Sequence, residues 1–231
     1  MQKLNELESV LQYTFTDTTL LRLAMTHSSY AHECLKDTDF YNERLEFLGD
    51  AVLELATSKM LYLASAEQEG DLSRRRASIV CEPSLAYVAG KLGLGRFLLL
   101  SRGEEKNGGR RRSSILSDFF EAIIGAIYLD GGYEPALAFI ERELFSRLDE
   151  IHEHTGQDHK TRLQEKVQAK GLVPEYHLIE TAGPPHDRVF TMEVCVEDQV
   201  LGRGEGRTKK EAEQQAARKA MQMLSEDDRW N

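Results

Sequence analysis

Apolar residues recur at helical spacing through most of the first 150 positions. Leu4, Leu7, Val10 and Leu11 form one short amphipathic stripe, and Leu20, Leu21, Leu23 and Ala24 begin another. A long helix is predicted from Asn42 to about Leu63. Helical stretches follow near Leu72–Val80, Pro83–Leu92, Ser114–Leu129 and Pro135–Ile151. Gly93, Gly95, Gly103, Gly108, Gly109, Gly131 and Gly132 punctuate them as stops and turns. Nothing in this half alternates as a strand would. Residues 1–151 are therefore expected to form an all-α domain with short loops.

The pattern then changes. Residues 152–158 are polar, small and aperiodic, as in a linker. Leu163 and Val167 mark a short helix ended by Gly171. Glu175–Thr181 and Val189–Val196 alternate like strands around a loop containing Gly183, Pro184, Pro185 and His186. Val200–Arg203 reads as a third short strand and Thr208–Leu224 as a long Ala-rich helix. The order αβββα over 159–227 predicts a small α+β domain with two helices on one sheet face. No internal repeat interrupts either half.

Composition adds little until it is divided. At 231 residues, 41% hydrophobic and 29% charged, the chain has the balance of a globular protein of one large or two modest domains. No apolar run reaches the ~20 residues of a membrane span. The opening MQKLNELES lacks an apolar signal core, so a cytoplasmic protein is expected. Cys34, Cys81 and Cys195 are few and widely spaced, as reduced thiols would be, with no zinc-type pair. The net charge of −10 argues against a polyanionic partner. Yet residues 1–154 hold 17 basic and 25 acidic side chains and residues 155–231 hold 12 and 14, so the excess acid (−8 against −2) lies mainly in the first half. Basic residues cluster locally at Arg74–Arg76, Arg110–Arg112 and Lys209-Lys210, and local potential decides where a polyanion docks.

Chemistry is concentrated on the long helix. At 100° per residue Glu43, Glu46, Asp50 and Glu54 fall at about 0°, 300°, 340° and 20°, on one face. Leu45, Phe47, Leu48, Ala51, Val52 and Leu55 make the rest too apolar for a surface helix. Stacked carboxylates beside a core are costly unless a cation offsets them, and hard divalent ions prefer all-oxygen sites. A second pair, Asp118 and Glu121, stands at i and i+3 on the strongly apolar stretch SDFFEAIIGAIYLDGG. Any one acid alone fits a solvated, salt-bridged face, with Arg44 beside Glu43. Two separated acidic stripes on apolar helices fit better as facing halves of a site for one or two Mg²⁺ ions, which polarise phosphoryl oxygens and lower the pKa of water. A carboxylate di-iron bundle would need Glu-x-x-His spacing, which His27 and His32 do not supply.

The tail points the same way. Thr208-Lys209-Lys210-Glu211 has the form of a capping box, yet it places two lysines in the first turn, where the helix dipole disfavours cations. An external phosphate would offset that arrangement. Thr161, Gln164 and Gln168 lie opposite Leu163 and Val167 and suit the 2′-hydroxyls of an RNA minor groove. His186, on its Gly-Pro-Pro loop, could reach a second groove.

NERLEFLGD at 42–50, EGDLS at 69–73 and SDFFEAIIGAIYLDGG at 117–132 resemble the nuclease domain of bacterial ribonuclease III. KTRLQE at 160–165, GPPHDRVF at 183–190 and GRTKKEAEQQAA at 206–217 resemble its double-stranded-RNA-binding domain. The resemblance implies catalytic and metal-ligating roles for Glu46, Asp50, Asp118 and Glu121. It implies auxiliary acids at Glu43 and Glu69, and RNA contacts from Thr161, Gln164, Gln168, His186, Thr208, Lys209 and Lys210. Glu54 has no catalytic counterpart and is expected to pair with a basic neighbour; His27 with the following Ser-Ser-Tyr implies a structural motif. The resemblance further implies a homodimer joined through the nuclease domain. It implies Mg²⁺-dependent cleavage of double-stranded RNA, with Mn²⁺ substituting, to 5′-phosphate and 3′-hydroxyl ends with short 3′ overhangs. Precursors of ribosomal RNA and structured messenger RNAs are the implied substrates. Against it stand a duplex-RNA-binding regulator with a vestigial nuclease fold, which loss of a core acid would favour, and a helical enzyme acting on small phosphates.

Overall fold

The computed structural model describes residues 2–35, 39–155, 159–168, 170–184, 188–197 and 199–226. The chain divides into two compact units, Met1–Ile151 and His152–Asn231. The first is helical: α1 (Gln2–Leu11), α2 (Thr18–Met25), a short turn α3 (Ser28–Tyr30), α4 (Glu43–Ala64), α5 (Glu69–Ile79), α6 (Glu82–Lys91), α7 (Arg102–Lys106), α8 (Ser113–Gly131), α9 (Tyr133–Glu143) and α10 (Leu148–Thr155). The second contains α11 (His159–Gln168), β1 (Pro174–Ala182), β2 (Val189–Val196), β3 (Gln199–Gly206) and α12 (Lys209–Glu226). An all-α unit followed by αβββα is the architecture expected from the periodicities.

The first unit is organised around α8. Phe119, Phe120, Ile123, Ile124 and Ile127 are fully buried there, each removing enough apolar surface to contribute about 1.5–3 kcal/mol. Its last turn is fastened by Asp130, whose carboxylate accepts from Tyr13 Oη (2.7 Å) and from the amides of Thr16 (3.0 Å) and Asp17 (2.7 Å). The stretch 135–151 is not one helix. A 3-10 turn over Phe145–Arg147 interrupts it, where Arg147 bonds the buried Glu143 at 3.0 Å. Residues 152–155, expected in a linker, continue α10, which spans Leu148–Thr155. Thr26 and Leu99 form an isolated parallel bridge, a strand-like contact absent from the helical reading.

In the second unit β1, β2 and β3 form an antiparallel sheet in sequence order. Leu163 and Val167 of α11 pack with Val194, Leu201 and Ala216 in its core. The third strand is longer than Val200–Arg203, running from Gln199 to Gly206 and including Gly204 and Gly206. A Cβ on Gly204 would stand 2.2 Å from the Ala216 nitrogen, and one on Gly202 2.4 Å from the Ala216 oxygen. Only glycine lets α12 lie this close to the strand.

Candidate active site

Helices α4 and α8 cross at two glycines. A Cβ on Gly49 would fall 1.8 Å from the Glu121 carbonyl oxygen, and one on Gly125 would fall 2.2 Å from that of Leu45. The backbones therefore touch, and the carboxylates one turn from the crossing are forced together. Glu46, Asp118 and Glu121 each offer an oxygen within 4.8 Å of the others. None of the three is fully buried, so the cluster opens to solvent.

Its electrostatics follow from that crowding. Burial first, then Asp50, Glu46 and Asp118, pushes Glu121 up to about 8 from its ordinary 4.5. Burial, Asp118, Glu43 and Asp50 push Glu46 up to about 7. Asp118 is also raised, by burial and then Glu82 and Glu43, against a lowering backbone hydrogen bond. Asp50 is raised by burial and by Glu54. Carboxylates that hold protons this tightly lack a positive partner. Three converging oxygens with unmatched charge suit a divalent, oxygen-loving ion.

The other acids separate. Asp50 is exposed, outside the three-oxygen group, but is the strongest of the charges acting on Glu121. Glu43 is exposed in the first turn of α4, and its charge reaches Glu46 and Asp118. Glu69 starts α5 and lines a groove with Leu55, Ser58, Tyr62 and Arg76, where it accepts from Ser73 Oγ at 2.9 Å. The sequence did not single out Glu82. It opens α6 beside Asp118, and its only signal was an acid before Pro83 at a helix start. Glu54 does not find the expected cation: among the described residues no basic side chain pairs with it.

Two arginine clusters are largely structural. Arg74 pairs with Asp71, Arg75 with Glu67 at 2.8 Å, and Arg76 donates to Ser58 Oγ at 2.9 Å. Arg110 donates to the carbonyls of Gly95 (2.9 Å) and Leu98 (2.8 Å), and Arg112 pairs with Glu104 at 2.6 Å.

In the second unit Gln164 and Gln168 are exposed on the side of α11 opposite buried Leu163 and Val167. Thr208 Oγ1 accepts the Glu211 amide at 3.1 Å, while Glu211 reaches back past the cap to the Arg207 amide at 2.8 Å. Lys209 and Lys210 are exposed in the first turn of α12. The Thr161 side chain and His186 lie outside the described residues.

A Ribonuclease-III-like family profile matches residues 17–148, and a double-stranded RNA binding motif matches residues 159–224. The chain is 46% identical over 227 residues to Ribonuclease 3 of Halalkalibacterium halodurans, covering 97% of this chain and 86% of that protein. It is 46% identical over 237 residues to Ribonuclease 3 of Clostridium kluyveri, covering 100% and 96%. Among solved structures it resembles the nuclease domain of ribonuclease III from Campylobacter jejuni, with TM-score 0.56 and 46% identity over 62% of this chain and 95% of that one. That structure concerns flexibility in a region involved in dimer formation. Matched in both halves and along its length, the chain belongs to the ribonuclease III family, endoribonucleases acting on double-stranded RNA.

Proposed function

We propose that Glu46, Asp50, Asp118 and Glu121 form the catalytic centre of a Mg²⁺-dependent enzyme that cuts double-stranded RNA to 5′-phosphate and 3′-hydroxyl ends with short 3′ overhangs. The observation that carries this reading is the convergence of three carboxylate oxygens within 4.8 Å, with Glu46 and Glu121 displaced to about 7 and 8. Glu46, Asp118 and Glu121 would hold the ion, and Mn²⁺ would substitute. A divalent ion there supplies charge for the phosphoryl oxygens and lowers the pKa of water. Asp50, exposed beside Glu121, faces the side from which solvent and substrate arrive. Glu43 and Glu82 add negative potential at the rim.

The working unit is a homodimer. Phe47, Leu55 and Tyr62 are 79%, 58% and 75% exposed on α4. At 100° per residue they lie within about 80° of one another, beside the acidic face. An exposed stripe of large apolar side chains of this kind marks a protein interface. A two-fold dimer through it would set two acidic centres against the two strands of a duplex. Glu69, in the adjoining groove, then borders the seam rather than its own subunit's cluster. The second unit holds the duplex through Gln164 and Gln168 on α11 and Thr208, Lys209 and Lys210 on α12, joined by Thr161 and His186. Ribosomal RNA precursors and structured messenger RNAs in the cytoplasm are the proposed substrates. No described helix is long and apolar enough to cross a membrane.

Glu121→Gln tests the reading. It keeps volume and removes one ionisable oxygen, so the variant should bind duplex RNA as the wild type does and fail to cleave it in Mg²⁺. Normal cleavage by this variant would overturn the assignment. RNA shifted in a gel but left uncut by the wild type would favour a regulator.

A further inference from the structure

Lys160 joins the two helices that carry the RNA face of the second unit. It stands in the first turn of α11, one turn before Gln164. Its Nζ donates to Glu213 Oε2 at 2.6 Å and lies over the Tyr176 ring, 4.3 Å from the centroid. Its amide, in the turn that has no acceptors inside the helix, donates to Gln214 Oε1 at 3.2 Å. Glu213 stands one turn after Lys209 on α12, and Tyr176 packs from β1 against the core that holds Leu163 and Val194. One residue therefore fastens α11 to α12 and to the sheet.

Helix stability does not explain a lysine at this place. A cation in the first turn opposes the helix dipole, and a Lys–Glu pair near the surface contributes little by itself. The ammonium is not free for a phosphate either, because Glu213 and the Tyr176 ring hold it from two sides, half-buried. The tyrosine contributes its ring face alone: its buried Oη has no partner among the described residues. What these contacts fix is the register of α11 against α12. An A-form duplex presents its minor groove, and the phosphates across the neighbouring major groove, at a set separation. Two helices held in one register match that separation and no other.

We propose that Lys160 is a positioning residue for duplex recognition, clamped by Glu213 and Tyr176. It sets the spacing between the contacts of Gln164 and Gln168 and those of Lys209 and Lys210, and so favours A-form RNA over B-form DNA. The inference rests on the RNA face proposed above and adds three residues outside it.

Binding of the full chain to a duplex RNA and to a duplex DNA of the same sequence, with divalent metal chelated, tests the clamp. Lys160→Met should weaken RNA binding about tenfold and DNA binding less than about twofold, within the range of coupling between neighbours. Glu213→Gln is the sharper variant. Removing an acid beside a polyanion ordinarily tightens binding. The clamp requires that this change loosen RNA binding, and that the double variant lose no more than either single one. Tyr176→Phe, which keeps the ring, should bind as the wild type does. Cleavage at saturating protein in Mg²⁺ should keep its rate in Lys160→Met, with only the half-saturating concentration raised. Tighter RNA binding in Glu213→Gln, or equal losses on RNA and DNA in Lys160→Met, would overturn the proposal. If Gln164→Ala weakens RNA binding and Lys160→Met does not, the clamp alone fails. If Gln164→Ala binds as the wild type does, the RNA face underneath fails and the clamp with it.

Discussion

Backbones touch through glycine in both units of this protein, with opposite consequences. At β3 and α12 the glycines at 202, 204 and 206 admit the backbone of alanines at 212, 216 and 220, with the stem of exposed Glu211 beside Gly206, and no like charges are pressed together. At α4 and α8, Gly49 and Gly125 admit each other's neighbouring carbonyls, and the residues one turn away are Glu46 and Glu121. The first contact closes a small core. The second uses the same closeness to hold like charges together, at a cost in the metal-free protein that a cation would offset. Close approach by itself is therefore neutral, and the residues flanking it decide between stability and chemistry.

Gly49→Ala should break the comparison most severely. In an exposed helix this change would gain about 1 kcal/mol of propensity. Here the methyl group meets a carbonyl at 1.8 Å, so α4 and α8 must part. Destabilisation of about 3 kcal/mol in urea and at least a roughly hundredfold loss of cleavage are expected. Gly204→Ala should destabilise the second unit by about 1–3 kcal/mol and weaken duplex binding, with cleavage of RNA at low salt largely retained.

The charge on the first contact has a signature in pH. Glu46 and Glu121 keep their protons up to about 7 and 8 when folded, whereas the unfolded chain releases them near 4.5. Between those values the folded state binds protons that the unfolded state does not. With metal chelated, these two groups make the protein more stable as pH falls through 8 and 7, a gain complete near 4.5. Asp130 acts in the opposite sense. Burial would raise its pKa, but bonds from Asp17, Thr16 and Tyr13 hold it below 3.8, so its contribution is present above that value and fades in stronger acid. Melting of chelated protein should therefore rise from pH 9 to pH 6, and Glu121→Gln should remove much of the slope while raising Tm at pH 9 by about 2–4 °C. A Tm in Glu121→Gln that follows the wild type across this range would dissociate the carboxylate from the strain. The smallest effects belong to the exposed lysines: Lys209→Ala and Lys210→Ala should each lower the salt slope of RNA binding by about one.

The acidic stripes were legible because helical spacing puts Glu46 with Asp50, and Asp118 with Glu121, on single faces, and because both helices are otherwise apolar. The β2 strand was equally plain from its alternation. Glu69 was not: its motif is local, but its position depends on where α5 packs, and the fold leaves it in the groove beside Tyr62. Glu82 and the crossing at Gly49 and Gly125 were invisible for the same reason, since a glycine inside a helix reads as a weak point until a second helix is laid across it. The third strand was read as ending at Arg203 because Gly204 and Gly206 carry no side chain to continue the pattern, when their cause is the alanine face of α12. His27 was read as structural on motif alone, and its Nδ1 accepts the Ser29 amide at the start of α3.

Asp130 fastens the far end of the helix that carries Asp118 and Glu121. The amides of Thr16 and Asp17 sit in an exposed loop, where protons would ordinarily trade with solvent almost as fast as in a free peptide. Bonded to a carboxylate rooted in α8, they open only when α8 loses its last turn or the loop lifts away. Their hydrogen-exchange rates should therefore report on the seating of α8 some three turns away from its two acids.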